Sequence, residues 1–181
     1  MDDLEAGDEA LYRRIKAGDL VAFDVLYARY EARLFGFIMT QVRSRADAEE
    51  VFQEAFMRTL KSAEVTFEVG FKCWLFRIAR NLVLNRARSS RRAENALSAM
   101  PESLPGPSAV ERLAESERSL ALQAAVAKLP APLSELFRLR TAGLSYDEMA
   151  AVLELPLGTL KSRFHQMVVT LREALEPWTA R

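Results

Sequence analysis

The chain has 181 residues, half of them hydrophobic, and its 25 basic side chains balance 25 acidic ones, so the formal net charge is zero. This length suffices for one ordinary hydrophobic core or for two small ones. No apolar run approaches the roughly 18 residues that a membrane span needs, and the acidic start MDDLEAGDE is unlike a basic signal peptide, so we expect a soluble cytoplasmic protein without membrane insertion.

The sequence carries none of the common catalytic or cofactor-binding signatures. It has no GxGxxG, GxxxxGK[ST], HExxH or GxSxG segment. Its single cysteine, Cys73, and its single histidine, His165, lie far apart in the sequence, which disfavours a metal site or a Cys/His catalytic pair. We therefore expect no metal, no cofactor, no small-molecule substrate and no enzymatic activity, and we predict that Cys73 fills space in the core.

Helical periodicity runs through the chain, and no stretch alternates apolar and polar residues over the length of a strand. We predict an all-α fold of two small helical domains joined by a flexible linker. After an acidic N-terminal tail (residues 1–10), the first domain is predicted to span residues 11–92. Its helices are predicted at 11–17, 21–40, 46–62 and 71–89, with breaks at Gly18 and at 64–70.

Positive charge is concentrated in one part of this first domain. Residues 71–92 contain seven Lys or Arg and no acidic residue. At helical spacing this run has an apolar stripe, which we expect to pack inward, and a polar face opposite to it. The stripe comprises Phe71, Trp74, Leu75, Ile78 and Leu82, and the polar face comprises Arg77, Asn81, Asn85 and Arg88. An ordinary solvated helix is an alternative, but such faces mix both signs, so the pattern favours a nucleic-acid backbone as partner.

Residues 93–114 are predicted to form the linker, because proline and glycine crowd together around the SLPGPS segment. A second helical domain is predicted over residues 115–181. Within it, Ser145 and Glu148 form a capping-box pair that starts a helix. Pro156 ends that helix and fits the first turn of the next one.

The helix that follows Pro156 has two different sides. Its apolar side is predicted to contain Leu160, Phe164, Met167, Val168, Leu171 and Leu175. Its exposed N-terminal half is predicted to present Gly158, Thr159, Lys161, Ser162, Arg163, His165 and Gln166. A plain helical hairpin shares this periodicity, but it does not explain small polar and basic residues at a helix start. The pattern is typical of the recognition helix of a DNA-binding helix-turn-helix, whose first turns reach base edges in the major groove.

Both predicted domains resemble parts of bacterial sigma factors. LPAPLSELFRLRTAGLSYDEMAAVLELPLGTLKSRFHQMVVTLREAL, residues 129–175, resembles region 4 of this family, most closely in GLSYDEMA and PLGTLKSRFH. RADAEEVFQEAFMRTLKS at 45–62 and FKCWLFRIARNLVLNRAR at 71–88 resemble region 2. The chain therefore resembles a short sigma factor of the extracytoplasmic-function (ECF) group, which keeps only regions 2 and 4. This implies an alternative sigma factor that binds core RNA polymerase and directs promoter-specific transcription initiation.

The resemblance assigns roles to three surfaces. By similarity to region 2, the helix at 46–62 would dock on polymerase, and the helix at 71–89 would contact and melt the −10 element of promoter DNA. By similarity to region 4, the recognition helix would read the −35 element. The implied polymerase-binding residues are Asp47, Glu50, Gln53, Glu54 and Met57, and the implied −10 residues are Arg77, Arg80, Asn81, Asn85, Arg86 and Arg88. Family members are commonly held inactive by an anti-sigma factor, which is therefore a further implied partner.

Two other classes of protein remain as alternatives. A dimeric helix-turn-helix transcriptional regulator with an N-terminal sensing domain would account for residues 115–181, but not for both sigma-like segments in this order. An enzyme is less compatible, because no catalytic constellation is visible. Since the net charge is zero, we expect the free protein to bind DNA weakly until polymerase holds both domains.

Overall fold

The computed structural model describes the backbone of residues 6–62, 69–97 and 117–179, and within these ranges the side chains up to residue 89 and from 120 to 176. The described residues form eight α-helices and no strand, which confirms the predicted all-α class. No helix in this part of the chain is long and apolar enough to cross a membrane. Residues 98–114 of the predicted linker and residues 1–5 of the predicted tail lie outside the described residues.

The chain divides into two compact units, and the first contains four helices. They are α1 (Asp8–Lys16), α2 (Leu20–Met39), α3 (Arg45–Lys61) and α4 (Gly70–Leu97). α1 begins three residues before the predicted helix, so Asp8 and Glu9 lie in its first turn and not in an acidic tail. Acidic side chains are favoured there by the helix dipole. α4 runs five residues into the segment predicted as linker.

Capping side chains fix where α2 and α3 begin. The amide of Ala22 donates to Asp19 Oδ1 at 3.1 Å, and Arg14 Nε donates to Asp19 Oδ2 at 2.8 Å. The hydrogen bond from the Ala22 amide, followed by the one from Arg14, lowers the pKa of Asp19 because both favour the charged carboxylate. At the start of α3, Ser44 Oγ accepts from the Asp47 amide at 3.1 Å. The starts of α2 and α3 therefore each have a side-chain partner for an otherwise unpaired amide.

The core of the first unit is formed by one face of each of its helices. Its largest side chains without appreciable exposure are Leu11, Leu26, Leu34, Ile38, Phe71, Leu75 and Phe76. An aromatic cluster joins α2 to α3, in which the Tyr27 ring centroid lies 5.4 Å from that of Phe52 and 5.1 Å from that of Phe56. Tilted and edge-on ring pairs of this kind stabilise a core beyond the area they bury.

The buried face of α4 is rotated relative to the predicted stripe. Its buried residues are Phe71, Cys73, Leu75, Phe76, Ala79 and Val83. Trp74, Ile78 and Leu82, which the prediction included in the apolar stripe, are only partly buried and lie at the margin of the buried face. The prediction was wrong because α4 packs against α1, α2 and α3 together, which requires a wider and differently centred face. The burial of Cys73 agrees with its predicted role as a core residue.

The remaining described helices make up most of the second unit. They are α5 (Glu117–Ala127), α6 (Ala131–Thr141), α7 (Tyr146–Leu153) and α8 (Leu157–Thr179). α6 ends where Gly143 adopts a φ of 83°, which allows the Leu144 amide to return to the Leu139 carbonyl at 3.2 Å. The largest fully buried side chains of these helices and their turns are Leu136, Leu139, Leu144, Met149 and Leu160. Their close spacing along the chain produces a small local core.

The predicted capping box is present at the start of α7. The Ser145 amide donates to Glu148 Oε2 at 2.7 Å, and the Glu148 amide donates to Ser145 Oγ at 3.2 Å. α7 ends at Leu153, and Glu154 then adopts a left-handed φ of 55°. The Leu160 amide donates to the Pro156 carbonyl at 3.0 Å, so Pro156 stands immediately before α8. The sequence predicted that Pro156 lies in the first turn of this helix, and the prediction was wrong by one residue.

The apolar side of α8 agrees with the prediction except at Val168. Leu160, Met167 and Leu171 are buried, and the Phe164 ring centroid lies 4.9 Å from that of Tyr146. Val168, by contrast, is 37% exposed. Because consecutive residues are about 100° apart around a helix, Val168 cannot share the direction of its neighbour Met167.

We predict that Ser145→Ala lowers the free energy of unfolding by about 1 kcal/mol, because it removes the oxygen that accepts from the Glu148 amide. Urea denaturation followed by circular dichroism measures this change. Ser145→Thr is the matched control, since it retains a capping oxygen and should stay close to wild type. An equal loss in both variants would contradict the capping role.

Candidate nucleic-acid interface

The outer face of α3 carries the residues that the sequence assigns to polymerase binding. Glu50, Gln53, Glu54 and Met57 are exposed, and Asp47 is partly buried. Helical spacing brings them together because residues three and four apart lie on one face. Glu54 forms an ion pair with Arg58 one turn later, at 2.7 Å, and both side chains are about half exposed. Such a pair contributes little to stability, so it leaves the carboxylate able to bind a partner.

The polar face of α4 carries the residues assigned to the −10 element. Asn81, Asn85 and Arg88 are exposed, whereas Arg77, Arg80 and Arg86 are partly buried. Asn81 and Asn85 are one helical turn apart, so their amide groups lie side by side on the same face. Arg88 Nη1 lies 3.5 Å from Asn85 Oδ1, a distance at the limit of a hydrogen bond. The two asparagines therefore offer neighbouring donors and acceptors to a ligand.

Arg86 differs from the other basic residues of α4 because acidic residues of α3 bind it. Arg86 Nη1 donates to Glu50 Oε2 at 2.7 Å, and Arg86 Nη2 donates to Asp47 Oδ1. A residue assigned to DNA is therefore paired with two residues assigned to polymerase. Local sequence patterns do not reveal this cluster, because 36 and 39 residues separate Arg86 from its two partners.

The cluster shifts the pKa of two of its members. Partial burial of Asp47 disfavours its charge, but hydrogen bonds from Ser44 and Arg86 and the positive charge of Arg86 outweigh burial and lower the pKa of Asp47. The hydrogen bond with Glu50, and after it the one with Asp47, raises the pKa of Arg86 against the effect of its partial burial. Asp47 and Arg86 therefore both carry their charges at neutral pH.

An open groove of about 640 Å³ lies between α3 and α4. Its lining residues are Glu50, Val51, Glu54, Leu82, Asn85, Arg86 and Ser89. The α3 wall is acidic, and the α4 wall carries amide, hydroxyl and guanidinium groups. Small-molecule sites are usually enclosed and mostly apolar, so this groove is better suited to a polar macromolecular surface.

The first turns of α8 present the predicted recognition residues. Gly158, Thr159, Lys161, Ser162, His165 and Gln166 are exposed, and Arg163 is partly buried. Within the described part of the chain, none of these side chains forms an ion pair or a hydrogen bond. The first turn of α8 contains no acidic residue, although the helix dipole favours acids there. A phosphate approaching this end of the helix therefore meets no opposing charge from that turn.

Two family models match the chain, and they match it in sequence order. The model for Sigma-70 region 2 matches residues 26–93. This range includes all of α3 and most of α2 and α4. The model for Sigma-70, region 4 matches residues 119–171, from the start of α5 into α8. The polar faces of α3, α4 and α8 all lie inside these matches.

Characterised relatives match over nearly the whole chain. The RNA polymerase sigma-H factor of Pseudomonas aeruginosa is 30% identical, and the alignment covers 94% of each protein. The ECF RNA polymerase sigma-E factor of Haemophilus influenzae is 29% identical, with 94% of this chain and 96% of the relative covered.

Two solved structures have a similar fold, and the first is that of a sigma factor. RpoE from Bartonella quintana, solved in complex with the anti-sigma factor NepR, has a TM-score of 0.67 and 25% identity over 85% of this chain and 96% of that one. CnrH, solved with the cytosolic domain of CnrY, has a TM-score of 0.68 at 24% identity over 94% of this chain and 97% of that one. The two family models match in sequence order, and the relatives align over 94% of this chain. The chain therefore belongs to the sigma-70 family and to its ECF group.

Proposed function

We propose that this protein is an alternative sigma factor that binds core RNA polymerase in the cytoplasm and directs promoter-specific transcription initiation. One observation carries the proposal: regions 2 and 4 occur in this order in one chain, and each presents an exposed polar face. The protein acts by binding and positioning DNA, and catalysis belongs to the polymerase.

The outer face of α3 is the proposed polymerase-binding surface. Its acidic groups, Glu50 and Glu54, and the amide of Gln53 are complementary to basic and amide groups on the large polymerase subunit. Met57 is 44% exposed, which is unusual for a large apolar side chain and fits a contact that becomes buried on docking. A surface of mixed acidic and apolar character of this kind gives both steering and affinity.

The polar face of α4 is the proposed surface for the −10 element. Opening a duplex unstacks bases at roughly a few kcal/mol per step, so the protein must hold the separated strand. The adjacent amides of Asn81 and Asn85 can bond to base edges or sugars, while Arg88 binds the backbone. Trp74 is partly buried beside Tyr12, with ring centroids 5.7 Å apart, and it supports this helix from the edge of the core.

The first turns of α8 are the proposed surface for the −35 element. Lys161 and Arg163 supply charge, and His165 supplies hydrogen bonding. Gly158 and Thr159 are small enough to let the helix start approach the groove closely. A protein antagonist is also part of the proposal. RpoE, a relative of similar fold, was solved in complex with an anti-sigma factor, which supports an anti-sigma partner for this chain as well.

We predict that purified core polymerase with this protein initiates transcripts at defined 5′ ends, and that core polymerase alone does not. Sequencing the 5′ ends of transcripts made on genomic DNA measures the result and yields the promoter sequence. The rival function, a dimeric helix-turn-helix regulator, requires tight binding to an inverted repeat without polymerase. Tight, sequence-specific binding by the isolated protein at physiological salt, together with no polymerase-dependent initiation, would favour that rival.

We predict that Arg163→Ala weakens use of the −35 element by about tenfold, because one base or phosphate contact contributes roughly 1–3 kcal/mol. Arg172→Ala is the matched control. It removes the same charge from an exposed position of α8, nine residues further along the helix. Run-off transcription on promoters with each −35 base substituted measures both variants. Equal effects of the two substitutions would show that general charge, and not the assigned face, is responsible.

Arg86 cannot bind a DNA phosphate and its acidic partners on α3 at the same time. If its guanidinium moved to a DNA phosphate, Asp47 would remain partly buried without its cation, which is costly. We therefore propose that Arg86 serves first to join α4 to α3, and that Asn81, Asn85 and Arg88 make the principal −10 contacts.

We predict that Arg86→Met lowers the free energy of unfolding by about 1 kcal/mol at pH 7, as is typical of a partly exposed ion-pair network. Because the pKa of Asp47 is lowered in the folded state, its contribution is present above the unfolded pKa of about 3.9 and is lost as the pH falls through the folded value. The difference between Arg86→Met and wild type should therefore shrink below about pH 4. Urea denaturation at pH 7 and below about pH 4 measures this difference in the free energy of unfolding.

Arg58→Met is the control for this prediction, because it removes one partner of the exposed Glu54 pair on the same surface. Its effect should be a few tenths of a kcal/mol. A difference between Arg86→Met and wild type that stays the same from neutral to acid pH would refute the role of Asp47.

A further inference from the structure

Side chains of α1 bind the end of α3. Lys16 Nζ donates to the carbonyl oxygen of Leu60 at 2.9 Å and to that of Ser62 at 2.7 Å. The Tyr12 hydroxyl lies 3.2 Å from the Thr59 carbonyl oxygen, to which it donates, and 2.9 Å from Ser62 Oγ. The last carbonyls of a helix have no backbone partner within the helix, so these donors satisfy groups at the end of α3. The Thr59 carbonyl also accepts from Ser62 Oγ at 2.8 Å.

The same helix also binds the start of α4. The Phe71 amide donates to Glu9 Oε1 at 2.9 Å, across 62 residues of sequence. α4 has no acidic residue in its own first turn, so Glu9 supplies the negative charge that a helix N-terminus favours. Gly70 has a φ of 82°, and a Cβ at this position would lie 3.4 Å from the same Glu9 oxygen. A residue with a side chain would therefore touch the carboxylate at an ordinary contact distance, but the positive φ would strain its backbone.

α4 is consequently held at two separate points. One is its first turn, where Glu9 binds the Phe71 amide and the Phe71 ring centroid lies 5.7 Å from those of Tyr12 and Tyr30. The other is Arg86, which the acidic residues of α3 bind. These points are fifteen residues apart, or about 22 Å along a helix axis. Asn81 and Asn85 lie between them.

We propose that α1 is a positioning element for promoter opening, in which Glu9, Tyr12 and Lys16 fix the start of α4 relative to the end of α3. The proposal rests on the functions proposed above for α3 and α4. Without the Glu9 contact, α4 keeps its buried face, but its first turn loses the hydrogen bond that ties it to α1. The start of α4 can then shift slightly within the core packing, and the amides of Asn81 and Asn85 sample more positions. Groups that must meet a separating strand lose effectiveness when their geometry is not held in advance.

If α1 only supported the fold, loss of its contacts would impair every activity of the protein. A positioning role instead leaves polymerase binding and −35 binding unchanged. The exposed residues of the outer face of α3 take no part in the contacts described for α1, so polymerase binding is not expected to depend on Glu9. The recognition residues of α8 belong to the other unit, so −35 binding does not depend on it either. Loss of the α1 contacts is therefore expected to impair strand opening selectively.

The test uses holoenzyme reconstituted from core polymerase and the full chain, on a promoter mapped from transcript 5′ ends. Glu9→Ala should lower the equilibrium constant for opening about tenfold, as expected for loss of one charge-assisted hydrogen bond, with core affinity and −35 affinity within about twofold of wild type. Permanganate reactivity of −10 thymines measures opening. Glu9→Gln keeps an acceptor oxygen for the Phe71 amide, so it should restore most of the opening.

Arg13→Ala is the matched control on α1. The Arg13 guanidinium is on the exposed side of the helix and bonds to the Glu9 backbone carbonyl at 3.3 Å, so its removal should leave opening at the wild-type level. Lys16→Met is a second test variant that removes the bonds to α3 but keeps the apolar stem. It should fold, because Lys16 is exposed, and it should also reduce opening. If Glu9→Ala does not fold, Lys16→Met decides the question.

Each outcome has a definite meaning. Opening reduced in Glu9→Ala or Lys16→Met, with core affinity retained, supports the positioning role. Unchanged opening in Lys16→Met and in a folded Glu9→Ala, or a parallel loss of opening, core affinity and −35 affinity in these two variants, overturns it. Failure of the wild-type holoenzyme to open any promoter would refute the proposed function itself, which distinguishes the two proposals.

Discussion

The burial of one side of α4 is the constraint on which the rest of the first unit depends. Phe71, Leu75 and Phe76 have no exposed surface, and each such side chain stabilises the fold by roughly 1.5–3 kcal/mol relative to an exposed position. Together they fix the rotation of α4 about its axis. The exposure of Asn81 and Asn85 is a consequence of that rotation, because a turn of about 100° would carry them toward the core. The hydrophobic core, and not the charge of the helix, sets which residues can meet DNA.

Features encoded by a few neighbouring residues could be predicted from the sequence, and features that join distant segments could not. The capping box of Ser145 and Glu148 and the break at Gly18 follow from local backbone chemistry. The buried face of α4 was misplaced because three other helices determine it, and periodicity alone cannot report their positions. The contacts of Arg86 with Asp47 and of Glu9 with Phe71 have no local signature, since the partners meet only after the helices pack.

The same limit applies to charge. The sequence places Asp8 and Glu9 in a predicted acidic tail, where their negative charges would repel DNA. In the folded chain, Asp8 accepts hydrogen bonds from Arg29 and Tyr30, and Glu9 binds the start of α4. These acids are committed to holding helices together. What a partner meets is therefore the charge left over after internal pairing, which includes Lys161 on α8 and Arg88 on α4.

The recognition residues of α8 make no side-chain hydrogen bond or ion pair with the rest of the described chain. Selection can therefore alter them one at a time with little penalty in folding, and promoter preference at the upstream element is free to diverge between paralogues. The packing that presents the polar face of α4 is different, because Arg86 joins α4 to α3. Changes there carry a folding cost. A cell that holds several such proteins can thus diversify the proposed upstream contacts of α8 while keeping the packing beneath the proposed −10 surface nearly constant.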